Sequence, residues 1–247
     1  MKISAKAWQS YAERMERIDA KAARLLKAWM RGHDYSTEAG MKELIRTATA
    51  LNVKFGQAAA ELAAQMYDAT AALYHAAVPA AEAAFPASAS QVEAAIRKAV
   101  GISANEEVAG SALGALVKQA GLRTTVKNAK RDGAEWAWIP GGDACAFCLM
   151  LASRGWQKVG QQFSQFSGVD HAHSHCRCQY AVRFRPFGGV AGYNEREYQK
   201  LWDEADGGSW QDKLNALRRE QYAENAEEIN AQKRAAYQKR MEAQEES

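Results

Sequence analysis

The chain has 247 residues, of which 47% are apolar and 25% are charged. This balance is typical of globular proteins, and a chain of this length can bury a core without disulfides. The net charge of +3 is too small to indicate nucleic-acid binding by itself. Charged residues interrupt every apolar run before the roughly 18 residues that a transmembrane helix needs, so we expect no contact with a membrane.

Two long helices are predicted in the first third of the chain. Residues 8–29 carry apolar side chains at the alternating spacing of a heptad seam, and Gly32 is the predicted helix end. Ser36 and Thr37 are candidate N-caps of a second helix, whose apolar stripe extends over residues 44–73. The two stripes predict an antiparallel hairpin, although a seam of this length could also support self-association through the helices.

Two further helices are predicted before the middle of the chain. Ser90 and Glu93 form a candidate capping box for a short helix. Another helix begins near Asn105, where apolar residues again recur at helical spacing. Gly121 is a candidate interruption of this helix, ahead of a turn at residues 132–133.

The pattern changes from helix to strand after residue 133. The segment AEWAWI (134–139) has strand-favouring aromatic residues, and QYAVRF (179–184) alternates apolar and polar residues. All four cysteines lie between these two predicted strands. The chain then returns to helix, and a capping box at Ser209 and Asp212 opens a long polar helix over residues 210–240.

These elements predict a mainly α fold. We expect a long N-terminal helical hairpin within a helical bundle, a small zinc-bearing α+β module with short strands, and a long C-terminal helix. The predicted units are the hairpin (1–88), a helical segment (89–133), the Cys/His-rich zinc-binding module (134–190) and a C-terminal helical tail (191–247).

The four cysteines and three of the five histidines fall within one window of 34 residues. Their pattern is Cys145-x-x-Cys148, then 24 residues, then His173-x-x-Cys176-x-Cys178. Structural zinc sites take four nitrogen or thiolate ligands, commonly from a Cys-x-x-Cys turn and a second pair brought back by a loop or hairpin. The sequence therefore predicts a structural zinc ion held by Cys145, Cys148, His173 and either Cys176 or Cys178.

Three other interpretations of the cysteines stay open. A thioredoxin-like redox pair would need a βαβ context, whereas helices precede this motif. A cysteine nucleophile with a histidine base fits the residue types but leaves the paired spacing unexplained. In the simplest alternative, Cys145 and Cys148 are small apolar residues in a buried helical turn, which accounts for the apolar residues 149–151 but not for the histidines.

Several segments follow one another in a distinctive order, namely NAKRDG, a tryptophan-containing strand, GGDACAFCLMLASRG, a loop, HAHSHCRC and QYAVRF. Taken in this order, they resemble the phage minor head proteins related to the F protein of phage Mu. Within that family the chain looks most like the branch often labelled capsid maturation protease in actinobacterial phage genomes. The resemblance is close over residues 123–184, and helical flanks of similar length extend it over most of the chain.

The resemblance also assigns the motif residue by residue. The family's first cysteine pair, its histidine and its terminal cysteine pair fall on Cys145, Cys148, His173, Cys176 and Cys178. His175 takes the variable place just before the terminal pair, and Arg154 with Gly155 matches the turn after the first pair. Family members often have a tyrosine shortly after that turn, where this chain continues with Trp156.

The resemblance implies a minor head protein of the virion or procapsid interior, made in the cytoplasm of the bacterial host. Its expected partners are the portal protein and the major capsid or scaffold protein, and its expected roles are head assembly and DNA packaging or delivery. Double-stranded DNA is a further candidate partner, since small basic patches lie before the cysteines at residues 127–131 and beside them at residues 177–185. A solvated helix face or strand edge is the simpler interpretation of these patches. A capsid maturation protease is the alternative function, but no nucleophile, base and orienting group can be singled out, so no catalytic residue is assigned.

Overall fold

The computed structural model describes residues 1–103, 105–142, 144–158, 160 and 177–227, together with residues 230, 231, 234, 235, 237 and 238. The described residues form seven helices and five short strands, which confirms the predicted mainly α fold. The helices are α1 (Ala5–Arg31), α2 (Glu38–Leu73), α3 (Ala89–Ile102), α4 (Glu106–Asp132), α5 (Ala146–Ala152), α6 (Glu195–Glu204) and α7 (Trp210–Glu224). The strands are β1 (Lys2–Ile3), β2 (Glu135–Ile139), β3 (Gln157–Lys158), β4 (Gln179–Arg183) and β5 (Gly189–Val190).

Polar caps determine where the long helices begin. The Ser4 hydroxyl accepts a hydrogen bond from the Ala7 N–H at the start of α1. Thr37 caps α2 in the same way and Gly32 ends α1, both as predicted. The predicted helix over residues 210–240 is observed as α7 up to Glu224, while residues 228–229, 232–233, 236 and 239–247 lie outside the described part of the chain.

The capping box of α3 lies two residues earlier than predicted. Ser88 Oγ accepts a hydrogen bond from the Gln91 N–H at 3.3 Å, and Gln91 Oε1 accepts one from the Ser88 N–H at 2.9 Å. The prediction of Ser90 and Glu93 was wrong because both serines have a suitable acceptor three residues later, so the pattern fits either. Glu93 instead pairs with Arg97 on the next turn, at 2.9 Å.

α4 continues through Gly121, so the predicted interruption there is wrong. The helix ends at Gly133, whose φ of +64° is left-handed. A Cβ atom at Gly121 would lie 2.8 Å from Met15 Cε of α1 and 3.2 Å from the Ala59 carbonyl oxygen of α2. Glycine therefore allows three helices to approach one another closely, and this packing offsets its low helix propensity.

The predicted seam of α1 packs inside the chain against α2 and α4. Over its last two turns, however, the buried residues are Leu26 and Met30 rather than the predicted Leu25 and Trp29, and Leu25 is 43% exposed. A straight α-helix drifts by roughly 20° per heptad from a strict seven-residue repeat. Over three heptads this drift reaches about 60°, more than half of the roughly 100° between consecutive residues, so the buried stripe turns towards the next position, as observed.

Both predicted strands are confirmed, and they pair with each other. β2 lies between β3 and β4, and its antiparallel register with β4 places Trp138 opposite Tyr180. β1 pairs in parallel with β5, which joins the N-terminal residues to the chain after β4. The Tyr74 hydroxyl reinforces this join, because it donates to the Met1 carbonyl oxygen at 2.9 Å and accepts from the Gly189 N–H at 2.6 Å.

The connector between α2 and α3 (residues 76–88) has no regular secondary structure, and bundle side chains satisfy its backbone. Asn128 of α4 accepts a hydrogen bond from the Glu82 N–H and donates one to the Glu82 carbonyl oxygen, both at 2.9 Å. Thr124, one turn earlier, accepts from the Ala84 N–H at 2.9 Å. These bonds take the place of the ladder that a neighbouring strand would supply.

Arg131 fixes the start of the connector. Its guanidinium donates to the carbonyl oxygens of Pro79 at 2.9 Å and Ala80 at 3.1 Å, and it pairs with the Asp132 carboxylate at 2.7 Å. The Tyr67 hydroxyl donates to the same carboxylate at 2.8 Å. The hydrogen bond from Arg131 lowers the pKa of Asp132, so the carboxylate is charged at neutral pH and holds α2, α4 and the connector together.

Asn128→Ala should lower the free energy of unfolding by about 1–2 kcal/mol, because both backbone groups of Glu82 lose a buried partner. Asn215→Ala is the matched control, since Asn215 is exposed on α7 and accepts a hydrogen bond from exposed Arg218. Urea unfolding of the two variants measures the difference. Equal effects of the two substitutions would contradict the role of Asn128.

Candidate metal site

Cys145 and Cys148 lie at the start of α5, most of which is buried. Cys145 is the N-cap residue and has an extended backbone, with φ of −70° and ψ of 162°. Cys148 follows one turn later and is 1% exposed. Their spacing puts both side chains on neighbouring positions of the same turn, as a Cys-x-x-Cys ligand pair requires.

Cys178 reaches the same apolar cluster from the start of β4. Because Ile139 pairs with Gln179, the antiparallel register brings the residues after β2 beside the residue before β4. The Gly141 N–H donates a hydrogen bond to Cys178 Sγ at 3.3 Å. Hydrogen bonds to a ligand atom orient it and tune it in metal sites, so this contact suits a metal-binding sulfur.

Burial shifts the pKa values of ionisable groups beside the cysteines. It raises the pKa of Tyr198, and the charges of Glu197 and Cys178 add to this shift. Burial also lowers the pKa of Arg154, whose guanidinium lies 6.0 Å from the centre of the Trp202 ring. The cysteines therefore lie in surroundings of low polarity, where charged interactions are stronger than in water.

Gln221 of α7 anchors the start of α5. Its Oε1 accepts a hydrogen bond from the Ala146 N–H at 2.7 Å, and its Nε2 donates to the Ala144 carbonyl oxygen at 2.9 Å. At the other end of α5, the Tyr193 hydroxyl donates to the Ala152 carbonyl oxygen at 2.7 Å. The segment that carries Cys145 and Cys148 is thus held at both ends by side chains from later in the chain.

The structure brings three of the five predicted ligands, Cys145, Cys148 and Cys178, to one cluster. His173 and Cys176 lie outside the described residues, as do His171 and His175. Within residues 1–103, 105–142, 144–158 and 177–227, no three His, Cys, Asp or Glu side chains form a group that could hold a metal ion. A complete zinc site would need ligands from the remaining residues, so zinc binding stays a prediction.

The family model of the VG15 protein matches residues 2–205 of the chain. The chain belongs to the VG15 family, which is a viral family from phages. No curated protein and no solved structure matches the chain. The part that matches the VG15 model contains the helical bundle, both sheets and the three described cysteines, whereas α7 with Gln221 follows it. None of the described helices has the length and apolar character that a membrane span requires.

Sequence reasoning missed two residues that shape the site of this VG15 protein. The sequence shows Gly141 only as part of the segment GGDACAFCLMLASRG, since its hydrogen bond to Cys178 depends on the register of β2 and β4. Gln221 lies 73 residues after Cys148 on a polar helix, and nothing in its local sequence marks it. Only the folded chain brings it to α5.

Gln221→Ala should weaken the contact between α7 and α5 and lower the free energy of unfolding by about 1–2 kcal/mol, since two hydrogen bonds are lost. The Ala146 amide should also exchange its hydrogen faster in the variant. Gln211→Ala, on the exposed face of α7, is the matched control and should change neither quantity. Hydrogen-exchange mass spectrometry measures the effect, and protection of Ala146 that survives Gln221→Ala would contradict the anchoring role.

Proposed function

We propose that this VG15 protein is a minor head protein of the Mu F-like branch, positioned in the virion or procapsid interior beside the portal. The observation that carries the proposal is the family match over residues 2–205, since it assigns the chain to phage proteins over most of its length. The resemblance of residues 123–184 to Mu F-like head proteins supports the narrower assignment. In this role the protein takes part in head assembly and in DNA packaging or delivery.

The proposed partners are the portal protein and the major capsid or scaffold protein, and the architecture supports docking on such large surfaces. α2 has 36 residues, and at 1.5 Å per residue it is about 54 Å long. Phe85 projects from the connector with 89% of its surface exposed, although the backbone beside it is fixed by hydrogen bonds that the Ala84 and Glu82 N–H groups donate to Thr124 and Asn128. An exposed aromatic ring on an ordered backbone is well suited to anchor a protein interface.

Phe85→Ser should reduce the number of copies of the protein in each procapsid at least several-fold, without lowering stability. Phe187→Ser is the matched control, because Phe187 is 93% exposed but lies on the turn between β4 and β5. Both variants are co-expressed with the portal, scaffold and major capsid proteins of the same phage, and copies are counted by quantitative mass spectrometry.

Equal incorporation of the two variants would contradict docking through the connector. Absence of the wild-type protein from procapsids would contradict the role in the head. Cleavage of scaffold or major capsid protein that Cys148→Ser abolishes would contradict a non-enzymatic role and favour a capsid maturation protease.

We also propose a structural zinc ion in this protein. The donor types fit zinc, because the described cysteines supply thiolate ligands and Cys178 already accepts a hydrogen bond that would orient its sulfur. The ligands would come from Cys145, Cys148, His173, Cys176 and Cys178. Four protein ligands leave no open coordination position, so the ion would cross-link the chain rather than catalyse a reaction.

Protein purified without added metal should carry one zinc ion per chain by native mass spectrometry, and denaturation should release it. Cys145→Ser is the informative variant because Cys145 is only half-buried, so a hydroxyl there costs little by itself. Met150→Leu, a buried change on the same helix, controls for packing and should keep the zinc. A wild-type protein without metal, or a Cys145→Ser variant that retains the ion, would contradict the proposal.

A further inference from the structure

The outward face of α1 carries a row of basic side chains. We call this row the α1 ridge, and it consists of Lys6, Arg14, Arg17, Lys21, Arg24 and Arg31. All six residues are exposed, and their spacing places them on the side of α1 opposite its buried seam. The positions between them on this face, Ser10 and Ala28, are small and exposed.

Positive charge is concentrated in this helix. α1 contains seven Lys and Arg residues against three Asp and Glu residues, an excess of four positive charges. The whole chain of 247 residues has a net charge of +3, so the remainder of the protein is slightly negative. The composition of the whole chain does not reveal this separation of charge, because the basic helix and the weakly acidic remainder add up to a small net charge.

Two of the three carboxylates on α1 bond to residues outside the ridge. Glu16 pairs with Arg177 at 2.9 Å, and Glu13 accepts a hydrogen bond from Gln9 at 3.0 Å. Two cations towards the end of α1 pair with α4, namely Lys27 with Glu107 and Arg31 with Glu106.

The cations in the middle of the ridge differ from those near the end of α1 in their ion pairing. In the part of the chain that the structure describes, Arg14, Arg17, Lys21 and Arg24 form no ion pair. These four cations therefore lie on one exposed face of an ordered helix and are available to an anionic partner.

The chemistry of the ridge favours phosphate over an acidic protein surface. Interfaces between proteins are enriched in aromatic residues as well as in arginine. The aromatic side chains of α1 instead lie on its inner face, where Trp8 and Tyr11 are buried and Trp29 packs against the core. The ridge offers only cations and small residues, which are the groups that contact a nucleic-acid backbone.

The dimensions of the ridge also suit a duplex. From Lys6 to Arg31 it extends for about 38 Å at 1.5 Å per residue, close to the length of roughly one turn of B-DNA. An α-helix fits the width of the major groove, where phosphates line both sides. We propose that the α1 ridge binds double-stranded DNA through its phosphates, independently of base sequence.

This inference rests on the proposed function for its setting, since packaged DNA is the polyanion inside a phage head. The DNA-binding inference and the proposed role in the head can fail separately. DNA binding is measured with purified protein, whereas the head role is measured by incorporation into procapsids.

Fluorescence anisotropy measures the binding of the full chain to a random-sequence DNA duplex of about 30 base pairs. The measurement is repeated at salt concentrations from about 50 to about 200 mM. The ridge variant replaces Arg14, Arg17, Lys21 and Arg24 with glutamine, which keeps helix propensity high. Four lost phosphate contacts should reduce the slope of log affinity against log salt by roughly 3 to 4. The control variant replaces four exposed cations outside α1 with glutamine, namely Lys42, Lys98, Arg196 and Lys200, and should bind nearly as wild type does.

Three outcomes would overturn the inference. The first is that the wild-type protein does not bind DNA at low salt, and the second is that the ridge and control variants lose equal DNA affinity. The third is that the ridge binds poly-glutamate as tightly as DNA, which would indicate an acidic protein partner. If the fourfold variant fails to fold, Arg17→Gln combined with Arg24→Gln should give about half the change in slope, and an unchanged slope would then overturn it.

Discussion

The rest of the structure depends on the burial of α4 on almost every side. α1 and α2 pack against it, α3 lies beside it, and the connector crosses it through hydrogen bonds to Thr124 and Asn128. Glycine at position 121 permits a close approach of α4 to both α1 and α2. A helix surrounded in this way cannot have one apolar stripe, because each side faces a different neighbour. Two of its buried polar residues, Thr124 and Asn128, bond both to the connector and to carbonyl oxygens of α4 itself.

The position of α4 then determines where the cysteines lie. Gly133 ends the helix and turns the chain directly into β2, so the strand begins against the bundle. Alternate residues of β2 face different cores: Ala137 and Ile139 join the bundle, whereas Trp138 joins the cluster that contains Cys148 and Cys178. The sheet of β2, β3 and β4 therefore lies between the bundle and the candidate metal site and packs against both. A change on the cysteine side can alter the packing of Trp138 while leaving the bundle face of the sheet in place.

Much of the fold could be predicted because it depends on local chemistry. Thr37, Ser209 and Gly32 mark helix boundaries through groups a few residues away, and the two strands show their own patterns. The wrong predictions have a common cause. Where the local sequence is compatible with two structures, tertiary packing determines which of them forms. Gly121 resembles a helix break until Met15 and Ala59 are placed beside it. The cysteine pair at the start of α5 was visible in the sequence, but Gln221 was not, since its role arises only from the docking of α7.

α1 shows how one helix can serve the fold and a binding surface at once. Its inner seam packs against α2 and α4, and β1 beside its start pairs with β5, so the direction of its outer face is fixed by the core. A flexible basic tail would lose conformational entropy when it binds, whereas side chains on an ordered helix lose only their own rotamer freedom. The Glu16–Arg177 pair, one residue before Cys178, joins this helix to the candidate metal site, but both partners are about half exposed and such pairs contribute little energy. The ridge and the cysteine cluster are therefore joined mainly through the sheet that lies between their two cores, and removal of the proposed zinc should leave the charges of the ridge in their places.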